Sequence, residues 1–218
     1  SMNNMFQNAV SFNQPVNFTN TSKVENMAGM FSGAKVFNQP LYFNIISVQD
    51  MSSMFQGAKK FNSPLNFTYS LNSRLRATRY MFYEANDFNQ PLYFNTDSVV
   101  DMSYMFYNDT MFNQPVNFNT SQVRAMYGMF QNAKAFNQPI NFDTRLVRNM
   151  QNMFNGAKSF NYPLGHLRLD SINNRNPHYH SWWWYGNYGV SGMFTGSGMN
   201  CQNMTSTLVG WKNFALAN

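Results

Sequence analysis

Few side chains in this sequence are of the kind that carry chemistry, and they lie close together. All three histidines (His166, His178, His180) and three of the four tryptophans (Trp182, Trp183, Trp184) fall between residues 165 and 192. His178 and His180 form an H-x-H pair, a spacing that places two imidazoles on one face of a strand and suits a metal. No Asp, Glu or Cys follows at ligand spacing, and Cys201 stands about twenty residues on. No metal or other cofactor is therefore expected. The sequence lacks G-x-S-x-G, H-E-x-x-H, a phosphate-binding P-loop and a dinucleotide fingerprint. Cys201 has no neighbouring His in sequence and reads as a buried, inert thiol. Asp50 and Asp101 sit at equivalent turn positions and read as helix caps, not as a catalytic pair. The chain is not expected to be an enzyme.

Recognition chemistry has more to work with. The run around Trp182, Trp183, Trp184 and Tyr185, with His178 and His180, would make an aromatic platform for sugar, peptide or a membrane interface. The same segment could instead cover the apolar end of a stack of repeats. A second candidate is a basic column, Arg76, Arg124 and Arg148, flanked by Arg74, Arg79 and Arg145. Guanidinium groups one repeat apart would suit acidic glycan, phosphate or nucleic acid. They repel one another and so cost stability. A third is an outward column of Tyr42 and Tyr93 alternating with asparagines, residue types that favour protein or sugar contacts.

What must position these groups is a repeat. Met-Phe pairs begin at Met5, Met30, Met54, Met81, Met105, Met129 and Met153, at steps of 25, 24, 27, 24, 24 and 24 residues; an eighth, Met193, follows after 40. Each of the first seven is followed by an FNQP-like tetrapeptide at Phe12, Phe37, Phe61, Phe88, Phe112, Phe136 or Phe160, which together hold seven of the eight prolines. Proline lacks an N–H and fixes φ, so these residues mark a corner. After the corner an apolar–variable–Phe alternation, as in Leu41-Tyr42-Phe43, predicts a short strand with one buried face. A polar turn leads to Val24, Val48, Leu75, Val99, Val123 or Val147 and a second extended segment. The M-F-x-x-A piece has helical spacing and predicts about two turns of helix, capped in some units by Ser52 or Ser103. The residue at its end, such as Asn8, Gly33 or Asn108, tolerates the left-handed conformation that stops a helix; Glu84 is the exception. The asparagines Asn13, Asn38, Asn62, Asn89, Asn113, Asn137 and Asn161 predict a buried ladder serving the corner backbone.

A unit of this size cannot bury its own apolar stripe, so stacking is required. The wording M-F-x-x-A-x-x-F-N-Q-P-L followed by N-T-S-x-V-x-D-M-S-x-M-F, best seen from Met81 to Phe106, resembles the BspA-type leucine-rich-repeat surface proteins, whose repeat is also catalogued as a mycoplasma domain of unknown function. The segment from Met193 to Trp211 is similar to the one that closes many such arrays. The resemblance implies a right-handed leucine-rich-repeat-like solenoid of about eight coils with short strands, short helices and a C-terminal helix over about Asn200–Ala215. The organisation expected is seven regular repeats over 1–164, an irregular aromatic and histidine-rich insertion over 165–192, and a degenerate last repeat with a helical cap over 193–218. It also implies display on a cell surface or outside the cell and adhesion to host or matrix protein or glycan. A structural role in a virion or surface layer, with contacts between copies, is the alternative.

Composition sets the outer bounds. The 218 residues are 44% hydrophobic, 17% aromatic and 11% charged, which excludes an ordinary disordered chain. No apolar run is long enough to span a bilayer. A single cysteine excludes an internal disulfide framework. The net charge of +6 is too small to specify nucleic acid. Ser1-Met2 reads as the remnant of an expression tag, with the chain opening inside a repeat.

Overall fold

Phenylalanine rings stacked face on face run through the centre of the protein. In the computed structural model, which describes residues 1–18, 20–68, 74–172 and 189–217, Phe6, Phe31, Phe55, Phe82, Phe106, Phe130, Phe154 and Phe194 form one continuous column. Successive centroids lie between 5.2 and 6.4 Å apart. The tetrapeptide phenylalanines form a second column, Phe12 through Phe160. Within one layer the two columns touch at about 4 Å, as for Phe82 and Phe88 at 4.0 Å. A third column, Phe18, Phe43, Phe67, Phe94 and Phe118, lies beyond. Methionines 27, 30, 51, 54, 102, 105, 126, 129, 150 and 153 are fully buried beside them. Each repeat is thus one layer, and its apolar residues are covered by the same residues of the next.

The backbone ties the layers together. Arg76 N donates to Gln49 O, Val100 N to Arg76 O, Arg124 N to Val100 O and Arg148 N to Arg124 O. Parallel bridges join Asn26, Asp50, Ala77, Asp101, Ala125 and Asn149 in sequence. The strand β1 (Leu41–Asn44) pairs in parallel with β2 (Leu65–Thr68), Leu41 opposite Leu65 and Phe43 opposite Phe67. The corresponding segments of the later layers, 92–95, 116–119 and 140–143, are not strands.

The expected helices at M-F-x-x-A do not form. Two residues of each layer, four apart, have positive φ: Gly29 and Gly33 in one, Tyr80 and Glu84 in another, Tyr104 and Asn108 in the next. Residues with φ near +60° cannot continue a right-handed helix. Met30 N donates to Met27 O and Ala34 N to Phe31 O, so the segment is a pair of turns with the positive φ at the third residue. The N–H groups between them, those of Gly29, Phe31 and Gly33, cross to Ser52, Met54 and Gln56 of the next layer. The apolar spacing of three and four is met by this turn pair as well as by a helix. Glu84, the exception in sequence, adopts the left-handed conformation like the rest of its column. Ser52 and Ser103 cap nothing; their hydroxyls are buried without a partner. Asp50 and Asp101 instead accept the N–H of Ser52 and Ser103 at 2.7 and 2.8 Å, closing turns and not helices.

Two side-chain ladders complete the stack. The Oδ1 of Asn13, Asn38, Asn62, Asn89, Asn113 and Asn137 each accepts the backbone N–H of the next corner asparagine. This ladder was expected to be buried. It lies at the surface, half-buried or exposed, because the proline corner is the edge of each layer. The second ladder is buried: the hydroxyls of Thr21, Thr96, Thr120 and Thr144 donate to the carbonyls of Asn44, Asn119, Asp143 and Arg168.

The one helix among the described residues, α1, runs from Cys201 to Ala217 and closes the end of the stack. Asn200 N and Asn203 Nδ2 bind Asn161, so Asn203 repeats what Gln39, Gln114 and Gln138 do in the layers before it. Cys201 is exposed. No described helix is long and apolar enough to cross a membrane.

Candidate binding face

The outer wall of the stack carries side chains in columns, because each layer repeats the backbone of the last. Arg76, Arg124 and Arg148 do share a column with Glu25, Gln49 and Val100, joined residue by residue through the backbone. All three arginines are exposed; Val100 separates Arg76 from Arg124, while Arg124 and Arg148 are direct neighbours. Arg145, nearby in sequence, is held by Asp143 at 2.6 Å, which keeps that carboxyl below its usual range. Tyr42 and Tyr93 are 64% and 61% exposed. They stand two layers apart in one column, with Asn66 between them. His178, His180, Trp182, Trp183, Trp184 and Tyr185 lie outside the described residues. His166 is described, and its Nε2 is bonded to Ile140 O at 2.7 Å.

A fourth face was not singled out from the sequence. It is formed by the variable positions of M-x-x-M-F-x-x, on the outside of the turn pair. Five tyrosines cluster there. Tyr80 stacks on Tyr104 with centroids 5.0 Å apart and planes 13° apart, and Tyr83 stacks on Tyr107 at 4.6 Å and 6°. Tyr127 packs against Tyr104 at 4.8 Å and accepts a hydrogen bond from Asn152 Nδ2 at 3.2 Å. The positive φ of Tyr80 and Tyr104 is what aims these rings along the wall, and Gly128, in the next layer, leaves the space that Tyr104 fills. Burial lifts the phenol of Tyr104 above the ordinary tyrosine value, aided by a hydrogen bond with Tyr127; burial lifts Tyr80 and Tyr83 as well.

The cluster borders two depressions. One, of about 360 Å3, is lined by the five rings with Gln56 and Gln131 at its ends. The other, of about 440 Å3, adjoins it through Tyr80 and Gln56 and is lined mainly by Asn4, Ser32, Asp50, Ser53 and Arg79. The latter exists because the Tyr80 column continues as Ser53 and Gly29, which are too small to fill it. The tyrosines were legible as a departure from pattern: no equivalent position in another layer holds an aromatic residue, and apart from Ala28, Arg79 and Thr195 those positions hold Gly, Ser, Asn or Gln. Among the described residues no group of three His, Cys, Asp or Glu could hold a metal ion.

The chain matches, over residues 1–93 and again over 79–182, the model of a family described as mycoplasma protein of unknown function, DUF285. It belongs to that family. The two successive matches fit a repeat protein, and together they take in the layers that carry the tyrosine face. No curated protein and no solved structure matches the chain.

Proposed function

We propose that this DUF285 chain is a non-enzymatic binding module that touches a protein or glycan partner through the outer wall of its stack. The stack is read as a right-handed solenoid of eight coils, on the strength of its resemblance to BspA-type arrays, and surface display rests on the same resemblance. The observation that carries the binding reading is the tyrosine face. Tyr80, Tyr83, Tyr104, Tyr107 and Tyr127 interrupt columns that elsewhere hold no aromatic residue, and they border two depressions. The backbone ladder between layers uses their N–H and C=O groups, as in Tyr80 N to Ser103 O and Tyr104 N to Tyr127 O, and places no demand on the rings. Tyrosine offers a large amphipathic surface that loses little conformational freedom on binding, which is why it dominates evolved recognition surfaces.

The test is a screen of the purified chain against immobilised matrix proteins and oligosaccharides, with light scattering in parallel. Binding that disappears in Tyr80→Ala and Tyr104→Ala while melting stays within a few degrees supports the reading. Absence of binding to every probe sinks it, and self-association lost in the same variants would move the face to assembly between copies.

A further inference from the structure

We propose that the 440 Å3 recess at the open end of the tyrosine stack is a binding site for a neutral oligosaccharide; this rests on the binding reading above and names its ligand class. The first argument is the free ring face. Tyr80 has Tyr104 stacked on one side and Tyr83 set across it at 61°; on the other side its column passes to Ser53 and Gly29, and no described ring stacks there. Tyr83 is related in the same way to Tyr107 and Gln56. An electron-rich ring face open towards a trough is a partner for the weakly positive C–H face of a sugar ring.

The second argument is the polar lining. Around that ring face lie Asn4, Ser32, Ser53 and Gln56, whose amides and hydroxyls each donate and accept. A sugar's hydroxyls make the same double demand. Ser52 also lines the recess, is 7% exposed, and has a hydroxyl with no partner. That hydroxyl oxygen is buried, so the groups a ligand meets are those of Asn4, Ser32, Ser53 and Gln56. The charges there are one Asp50 and one Arg79, which offset each other, so the trough favours a ligand without net charge. Acidic ligands find a better match at Arg124 and Arg148.

The third argument excludes an extended peptide. Peptides commonly bind by adding a strand to free backbone groups. Here those groups are spent between layers: Gly29 N on Ser52 O, Ser53 N on Arg79 O, Tyr80 N on Ser103 O. The same bonds fix the floor and walls of the trough before any ligand binds, which lowers the cost of ordering the site.

The experiment uses the full chain on an array of neutral hexose and N-acetylhexosamine oligosaccharides, with sulfated and uronic-acid glycans, extended peptides and single-stranded nucleic acid alongside. The best neutral oligosaccharide is then titrated by calorimetry. Tyr80→Ala should weaken binding about tenfold or more, and Tyr80→Phe should restore it, because the ring face is what counts. The second variant is Ser53→Tyr. Its φ of +57° is the one that Tyr80 and Tyr104 already adopt, at +58° and +57°, so the change extends the tyrosine column by one layer. It should fold, melt no lower than the parent, and abolish binding by plugging the trough. Wild-type affinity in both Tyr80→Ala and Ser53→Tyr, or binding confined to acidic glycans or peptides, overturns the inference and leaves the binding module standing; binding confined to nucleic acid overturns both. Silence on every protein, peptide, nucleic-acid and glycan probe removes both.

Discussion

Asp109 takes the place that Ala85 holds one layer earlier and is just as completely buried. Every other described layer from Ala9 to Ala157 has alanine there. Neither carboxyl oxygen has a full hydrogen bond, with the amides of Met111 and Phe112 only weakly engaged. Burial therefore holds this carboxyl well above the usual carboxylate range, and the nearby Asp87 charge adds to the effect.

The sign of the consequence follows from linkage. The folded state keeps a proton that the unfolded chain releases near pH 4. Stability from this group is complete below that pH and is lost as pH rises through the higher folded value. Asp109→Ala should remove the dependence and raise stability at neutral pH by about 1–3 kcal/mol, the cost of an unmet buried polar group. Urea unfolding of both proteins at pH 4.5 and 7.5 checks it. A gap between them that fails to widen with pH contradicts the buried carboxyl.

The phenylalanine columns predict a graded cost of truncation. Phe106 is fully buried, with Phe82 at 5.6 Å, Phe130 at 5.4 Å and Phe112 at 4.0 Å. Phe106→Ala should cost about 3–5 kcal/mol. Phe118→Ala, at 7% exposure and in the outer column, should fall at or below the lower end of that range. Thermal melting of the two variants gives the order; equal and small shifts would count against tightly packed layers.

Much of this architecture was legible in residue order. The corner asparagines repeat because each carboxamide serves the backbone of the next layer, a job that needs the same residue at the same place every time. The methionine and phenylalanine columns follow from the same logic. The short helices were misread because Met27, Met30, Phe31 and Ala34 satisfy a turn pair and a helix alike, and only backbone φ separates them. The tyrosine face is not marked by the alternation that marks the residues following Val and Pro. Tyr80, Tyr83, Tyr104 and Tyr107 instead flank the Met-Phe pairs, where no alternation of apolar and polar residues marks an outward position. Asp109 was hidden in the opposite sense: its column is alanine, and its burial follows from its neighbours and not from its own chemistry.

The tyrosine cluster has its own pH signature. Tyr80, Tyr83 and Tyr104 all have folded values raised above 10, foremost by burial. Their contribution to stability is intact below pH 10 and fades as pH climbs through the folded values. Ultraviolet titration should show a late group, these three, ionising above pH 10 together with loss of structure. Tyr104→Phe should shrink the late group. A single transition near pH 10 for all of them would mean that the rings are not packed as described.

The closing helix is attached at its backbone, which makes its contribution separable. A Cβ added at Gly210 would lie 2.5 Å from Gly165 Cα, so the two chains meet without side chains between them. On either side, Leu164 N donates to Thr207 Oγ1 at 2.9 Å and Trp211 Nε1 donates to Leu164 O at 3.1 Å. Gly210→Ala would gain up to about 1 kcal/mol of helix propensity in isolation. It cannot keep both hydrogen bonds, because the obstructing atoms are backbone and cannot rotate away. The helix should therefore lift from the last layer and net stability should fall. In a stack where each layer touches only its neighbours, the damage stays local. Amide exchange should accelerate at Leu164 and Leu167 while Phe82 and Phe106 keep their protection. Uniform acceleration through all layers would show instead that the stack opens as one cooperative unit.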